Sequence, residues 1–320
     1  MSKRMPGRFK FFFGGTALGA LIGYYLSKSK QLKEWSPITS SKEKEWPPRV
    51  PIHLEYPGPI NDAFPRKAYY ASYNRRLRHP NWVFEHLTKD SLQIGENVDR
   101  KFSKFQEDPE IPAKFNVKLV DYFKSGYDRG HMAPAADART SQEALNETFY
   151  LTNIAPQVGN GFNRDYWAFL EGFCRRLVRQ DLFTDVYVFT GPAYLPYEDK
   201  EDGKWYVKYQ LIGNPPNVSV PTHFFKVILA VKEDNGPSGK LYALGCFLLP
   251  NQYIPHDTPL TDYVVPLDAL ERATGLRFFE NVQEKTVPLC EEIKCVLVPP
   301  SKWIDSNSRE KLLTDQGPKD

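Results

Sequence analysis

His131 closes the run Asp128-Arg129-Gly130-His131, and Asn153, Asn163 and Glu171 follow it in the next part of the chain. Histidine is the side chain whose unperturbed pKa lets it take a proton near neutral pH. Arginine presents a forked cation that matches phosphate. An amide oxygen such as that of Asn163 suits a hard divalent ion, which keeps most of its waters and needs few protein ligands when the substrate is itself negative. Together these types suit attack of an activated water on a phosphodiester, with a cation at the leaving oxygen. One histidine alone, or one asparagine at a helix start, would carry no such meaning, since asparagine there is usually a cap.

The elements that must position these groups can be read around them. A strand-like segment ends near His131, a second is expected over 148–153, and Asn163 opens a helix that carries Glu171. That helix is read over about 164–179, with Trp167, Leu170, Cys174 and Leu177 three or four apart. A second helix is expected over 267–274, stopped by Gly275. Apolar runs at 186–190 (ending at Gly191-Pro192), 224–230 and 242–249 read as strands. The pattern is α+β with an antiparallel sheet core, not a regular βαβ alternation. Arg175, Arg176 and Arg179 read as helix-end stabilisation, and Arg75, Arg76 and Arg78 as a solvated face.

The chain has 42 Lys and Arg against 39 Asp and Glu. Six of the basic residues (Lys3, Arg4, Arg8, Lys10, Lys28, Lys30) fall in the first thirty residues, which hold no acid, so 36 against 39 leaves about −3 on the rest. A globally basic nucleic-acid binder is excluded, and any phosphate-binding surface must be local or must borrow charge from a metal. Four cysteines are too few for a disulfide scaffold at this length; Cys290 and Cys295 could pair locally or remain idle thiols.

Residues 11–27 are uncharged, and Gly15, Gly19 and Gly23 place small residues on one face of a helix. Three readings compete: a secretory signal, a mitochondrial presequence, and a presequence fused to a membrane anchor. The missing small-x-small cleavage site and the apolarity on all sides favour the third. A Pro-rich stretch at 31–59 reads as a linker. One mixed domain is expected over 60–300, and a polar tail over 301–320.

The stretches SGYDRGHMAPAAD, TFYLTNIAPQ, FNRDYWAFLE, TGPAYLP and VPTHFFKVIL resemble the DNA/RNA non-specific ββα-metal (His-Me finger) nucleases, and within them the mitochondrial endonuclease G type with its fungal relatives. The resemblance implies His131 as general base, Asn163 as the sole protein ligand of Mg²⁺ (Mn²⁺ as a substitute), and Arg129 on phosphate. It also implies that Asn153 supports the site and that Glu171 orients metal-bound water. An upstream phosphate-binding arginine is expected, for which Arg100 is the candidate. The implied substrates are DNA and RNA. A homodimer, attachment to the mitochondrial inner membrane through the N-terminal segment, and a part in cell-death DNA fragmentation are implied as well.

Overall fold

In the computed structural model, residues 62–234 and 239–298 are described. The expected anchor (1–30), linker (31–59) and tail (301–320) lie outside the described residues. Along the chain come β1 (Ala63–Pro65), β2 (Tyr69–Asn74), β3 (His79–Leu87), β4 (Asp128–His131), α1 (Gln142–Glu147), β5 (Ile154–Gln157), α2 (Trp167–Arg179), β6 (Asp185–Ala193), β7 (His223–Glu233), β8 (Lys240–Pro250), α3 (Leu267–Thr274) and β9 (Thr286–Pro288). Seven strands form one sheet in the order β1-β2-β3-β6-β7-β8-β9. Its ladders are antiparallel except for β8 with β9. β4 and β5 form a separate antiparallel ladder, with His131 opposite Ile154 and Asp128 opposite Gln157.

The large sheet is covered on both faces, which is why β6 and β7 read as continuous apolar runs and not as alternating ones. One face packs on α2: Trp167, Leu170, Cys174 and Leu177 bury themselves against Val83, Val188, Phe224 and Ile228. Each large apolar side chain buried in this way stabilises the fold by about 1.5–3 kcal/mol. The other face is closed by Leu270 of α3 with Phe278 and Phe279, against Trp82, Phe189 and Phe225. This is the expected α+β arrangement around an antiparallel-dominated sheet.

Several local expectations hold and others are corrected. α3 spans Leu267–Thr274, and Gly275 ends it with φ +70 while its N–H bonds Glu271 O at 2.8 Å. Cys290 and Cys295 form a disulfide, whereas Cys174 and Cys246 are buried free thiols. The strand expected to end at Gly191-Pro192 runs through both to Ala193. Gly191 serves close approach: a Cβ there would lie 2.6 Å from Asn81 O and from Phe225 Cζ. Residues 148–153 are not a strand. They form a turn and a short 3-10 segment (Leu151–Asn153), pinned by Asn153 Nδ2 donating to Thr148 O and by Leu151 N–H donating to Gln106 O, and the second strand begins only at Ile154. α2 starts at Trp167 because a wide π-type turn, Gly159–Tyr166, precedes it, with non-helical backbone at Asn160 and Gly161. Arg175 is not a helix-end surface charge: it is buried and pairs with buried Asp137 at 2.6 Å.

Candidate active site

β4 and β5 must lie very close together, and the sequence provides for it. A Cβ on Gly130 would sit 2.0 Å from Gln157 Oε1, so only glycine fits between Arg129 and His131. Alternation along β4 places those two side chains on the same side. There they line a cleft of about 370 Å³ together with Arg100, Phe105, Asp128, Asn163, Arg164 and Glu171. Four of the groups singled out for chemistry (Arg129, His131, Asn163 and Glu171), and Arg100 from the short turn at Arg100–Phe102, therefore converge on one place. A larger hollow of about 470 Å³ lies elsewhere, lined by residues such as Thr88, Lys89, Asp181 and Lys232. It contains none of these groups.

The His131 ring is set between Phe105 and Phe149, with centroids 5.3 and 4.9 Å away. Its Nε2 is enclosed and has no hydrogen-bond partner in the protein. Burial, then the charges of Arg100 and Arg129, push the imidazole down to about 3, so it is neutral and able to accept a proton at pH 7. Both arginines are braced on aromatic faces. The Arg129 guanidinium lies 4.4 Å from the Phe105 centroid, and that of Arg100 lies 5.4 Å from Phe149.

Asn163 sits in the wide turn before α2, where its Nδ2 donates to Asp128 Oδ2 at 2.9 Å. A carboxylate only accepts, so this bond assigns the amide's two ends and leaves Oδ1 for a cation. Arg164 clamps the same carboxylate through Nε at 2.7 Å and Nη2 at 2.6 Å. Burial raises the Asp128 carboxyl, but the bonds from Arg164 and Asn163, with Arg129's charge, outweigh it and hold it below the ordinary carboxylate range. Among the described residues no group of three or more His, Cys, Asp or Glu side chains could hold a metal. An ion seated at Asn163 would take most of its shell from water and phosphate, a donor set that fits magnesium.

Glu171 lines the cleft from α2. Burial pushes its carboxyl up to about 7, against the lowering influence of Lys226 and Arg175; Asp137 adds to the rise and Arg100 opposes it. Asn153 does not line the cleft. It is fully buried and braces the loop after His131, with Oδ1 accepting from Ala133 N–H at 2.9 Å and Nδ2 donating to Ala133 O at 2.9 Å. Sequence reasoning gave no role to Phe105, Asp128 or Arg164. Asp128 and Arg164 stood inside the quoted motifs, whereas Phe105 had no local signal.

A histidine on a tight β-pair, lining one cleft with two arginines and an amide oxygen, is the arrangement of a phosphodiester-cleaving enzyme of the ββα-metal class. The model of the DNA/RNA non-specific endonuclease family matches residues 52–285. The mitochondrial nuclease of Saccharomyces cerevisiae is 52% identical over 244 residues, covering 76% of this chain and 73% of that one. The mitochondrial endonuclease G of Caenorhabditis elegans is 44% identical over 232 residues, 72% of each chain. The crystal structure of an EndoG/EndoGI complex matches with a TM-score of 0.67 at 44% identity, covering 73% of this chain and 91% of that one. The chain belongs to the DNA/RNA non-specific endonuclease family and is a hydrolase of the nuclease type.

Proposed function

We propose that this protein is a mitochondrial, Mg²⁺-dependent endonuclease that cuts DNA and RNA without sequence or sugar preference, with His131 as general base. The observation that carries this reading is the convergence of a neutral, half-buried imidazole, two guanidiniums and a free amide oxygen on one cleft. His131 takes a proton from a water as that water attacks phosphorus, the bond from phosphorus to the 3′ oxygen breaks, and that oxygen takes up a proton from solvent, leaving 5′-phosphate and 3′-hydroxyl ends. The negative phosphate acts against the two guanidiniums and raises the imidazole's basicity during the transfer. Arg129 and Arg100 balance charge on the non-bridging oxygens. Asn163 would hold the cation through Oδ1, and Glu171 would accept hydrogen bonds from water in the cleft. The ion, when bound, supplies charge neutralisation at the leaving oxygen. Mn²⁺ meets the same donor demand.

Every group in this scheme acts on phosphate, its cation or water, and none reads a 2′-hydroxyl or a base edge. Matched single-stranded DNA, duplex DNA and RNA should all be cut, and EDTA should abolish cutting of each. Activity should fall steeply between about 50 and 200 mM salt, because binding rests on displaced counterions. Strict dependence on one sugar, or full activity in EDTA, would overturn the reading.

The N-terminal segment is proposed as a mitochondrial targeting and inner-membrane anchor segment, followed by the linker at 31–59. A homodimer and a part in mitochondrial nucleic-acid breakdown and cell-death DNA fragmentation are proposed with it, on the resemblance to the endonuclease G type. Deleting residues 1–45 should yield a soluble, active enzyme and release it from mitochondrial membranes on fractionation. Recovery of the full-length protein in the soluble cytosolic fraction would refute the anchor.

A further inference from the structure

Behind α2 lies a group of charged side chains that the scheme above does not use. Lys226 projects from β7 and is buried at 1% exposure, and Glu85 on β3 is buried at 2%. Lys226 and Val83 both stand opposite Thr190 of β6 in the ladders, and Glu85 lies two residues beyond Val83, so all four share the sheet face that α2 covers. The Lys226 ammonium donates to Thr190 Oγ1 at 2.7 Å and lies 5.0 Å from the Trp167 ring centroid. Trp167 opens α2, and Glu171 is one turn further along the same helix face. A buried charge is costly unless it is matched, so this ammonium needs a counter-charge close by.

We propose that Lys226 is a positioning residue for hydrolysis: held beneath α2 by Thr190 and by Trp167, one turn from Glu171, it supplies the counter-charge that keeps the Glu171 carboxylate an acceptor in the cleft. This rests on the reading of Glu171 as a working group of the site. The other charges around Glu171 do not replace Lys226. Arg175 is committed to Asp137 at 2.6 Å, and Asp137 itself repels Glu171. Arg100, from the cleft side, has the weakest influence of those acting on it. Glu85 is the rival for Lys226, but burial and then Asp137's charge push its carboxyl well above the ordinary range. It therefore holds its proton while Glu171 ionises. Buried Cys174, pushed up to about 12, stays a neutral thiol.

The test is the pH dependence of kcat and KM for the full chain on duplex DNA at saturating Mg²⁺, from pH 5.5 to 9.5. With the His131 imidazole near 3, an acid limb near pH 7 is the one expected from Glu171. Lys226→Met should shift that limb upward by about one unit or more, a loss of about fivefold or more at pH 7 that is largely regained at pH 9. KM should change little, and Lys226→Arg should restore the limb. Glu171→Gln should lower kcat and remove the limb, and Lys226→Met in that background should have no further pH effect. A Lys226→Met enzyme that loses the same factor at every pH, or none, overturns the proposal. Wild-type kcat and limb in Glu171→Gln would instead overturn the reading of Glu171 on which it rests. If Lys226→Met does not fold, Thr190→Val decides: a smaller upward shift supports the proposal, and an unmoved limb overturns it.

Discussion

Replacing His131 by alanine should reduce kcat by about 10²–10⁴-fold while DNA affinity stays close to wild type. The separation follows from what the side chain contributes. At pH 7 the imidazole is neutral, so its loss removes no positive charge from the cleft, and Arg129 and Arg100 still meet the phosphate. What disappears is the proton acceptor. The fold should tolerate the change, because Nε2 bonds to nothing in the protein and the ring only fills space between Phe105 and Phe149. A stability signature accompanies it. The folded-state pKa of about 3 lies below the unfolded value of about 6.5, so the unfolded chain binds the proton more readily between those values. This group therefore lowers wild-type stability as pH falls below 6.5, and His131→Ala lacks that penalty. Melting curves at pH 5 and pH 8 should show the variant gaining on wild type at the lower pH. Single-turnover cleavage with binding measured separately settles the catalytic part: an active variant, or one that fails only by losing DNA, would show that the base lies elsewhere.

The parts of this site that were legible in the sequence are those written locally. Asp128-Arg129-Gly130-His131 is four consecutive residues, and α2 declares itself through Trp167, Leu170, Cys174 and Leu177. What was not legible depends on distant partners. Strand β3 is broken up by His79, Pro80, Asn81, Glu85 and His86, so no clean apolar run marks it, yet it supplies part of the buried face beneath α2. Residues 148–153 have the β-prone side chains of a strand, but Asn153 spends its amide on Thr148 and Ala133 and folds the segment into a turn. Arg175 looks like any helix-end arginine until Asp137, 38 residues away in sequence, meets it in the interior. Lys226 sits inside a run read only as an apolar strand, and the ladder aims its ammonium at Thr190 in the core. In each case a polar residue's environment is decided by tertiary pairing, which propensity and periodicity do not encode.

Asn163→Ala should raise the Mg²⁺ concentration for half-maximal activity by about tenfold or more and lower kcat at any practical metal concentration, without loss of fold. Asn163 occupies the wide turn before α2 and is only partly buried, so truncating it opens no large cavity. Its removal does free Asp128 of one donor, but Arg164 keeps two bonds to that carboxylate at 2.7 and 2.6 Å and holds the turn against β4. The single amide oxygen offered to a hard cation is then gone, and no cage of three or more ionisable ligands stands in for it among the described residues. Asn163→Asp separates the ligand from the hydrogen-bond donor. It restores an oxygen for the ion but places a second carboxylate where an amide met Asp128 at 2.9 Å. Without metal, the like charges should lower the melting temperature. A Mg²⁺ ion held by the new carboxylate would offset that repulsion, so activity should be retained and the thermal shift on adding Mg²⁺ should exceed that of wild type. Metal titrations of cleavage, paired with melting curves in EDTA and in Mg²⁺, read both effects. If Asn163→Ala kept the wild-type metal dependence, the ion would have to be held by some other oxygen of the cleft, and Glu171 would be the first to replace.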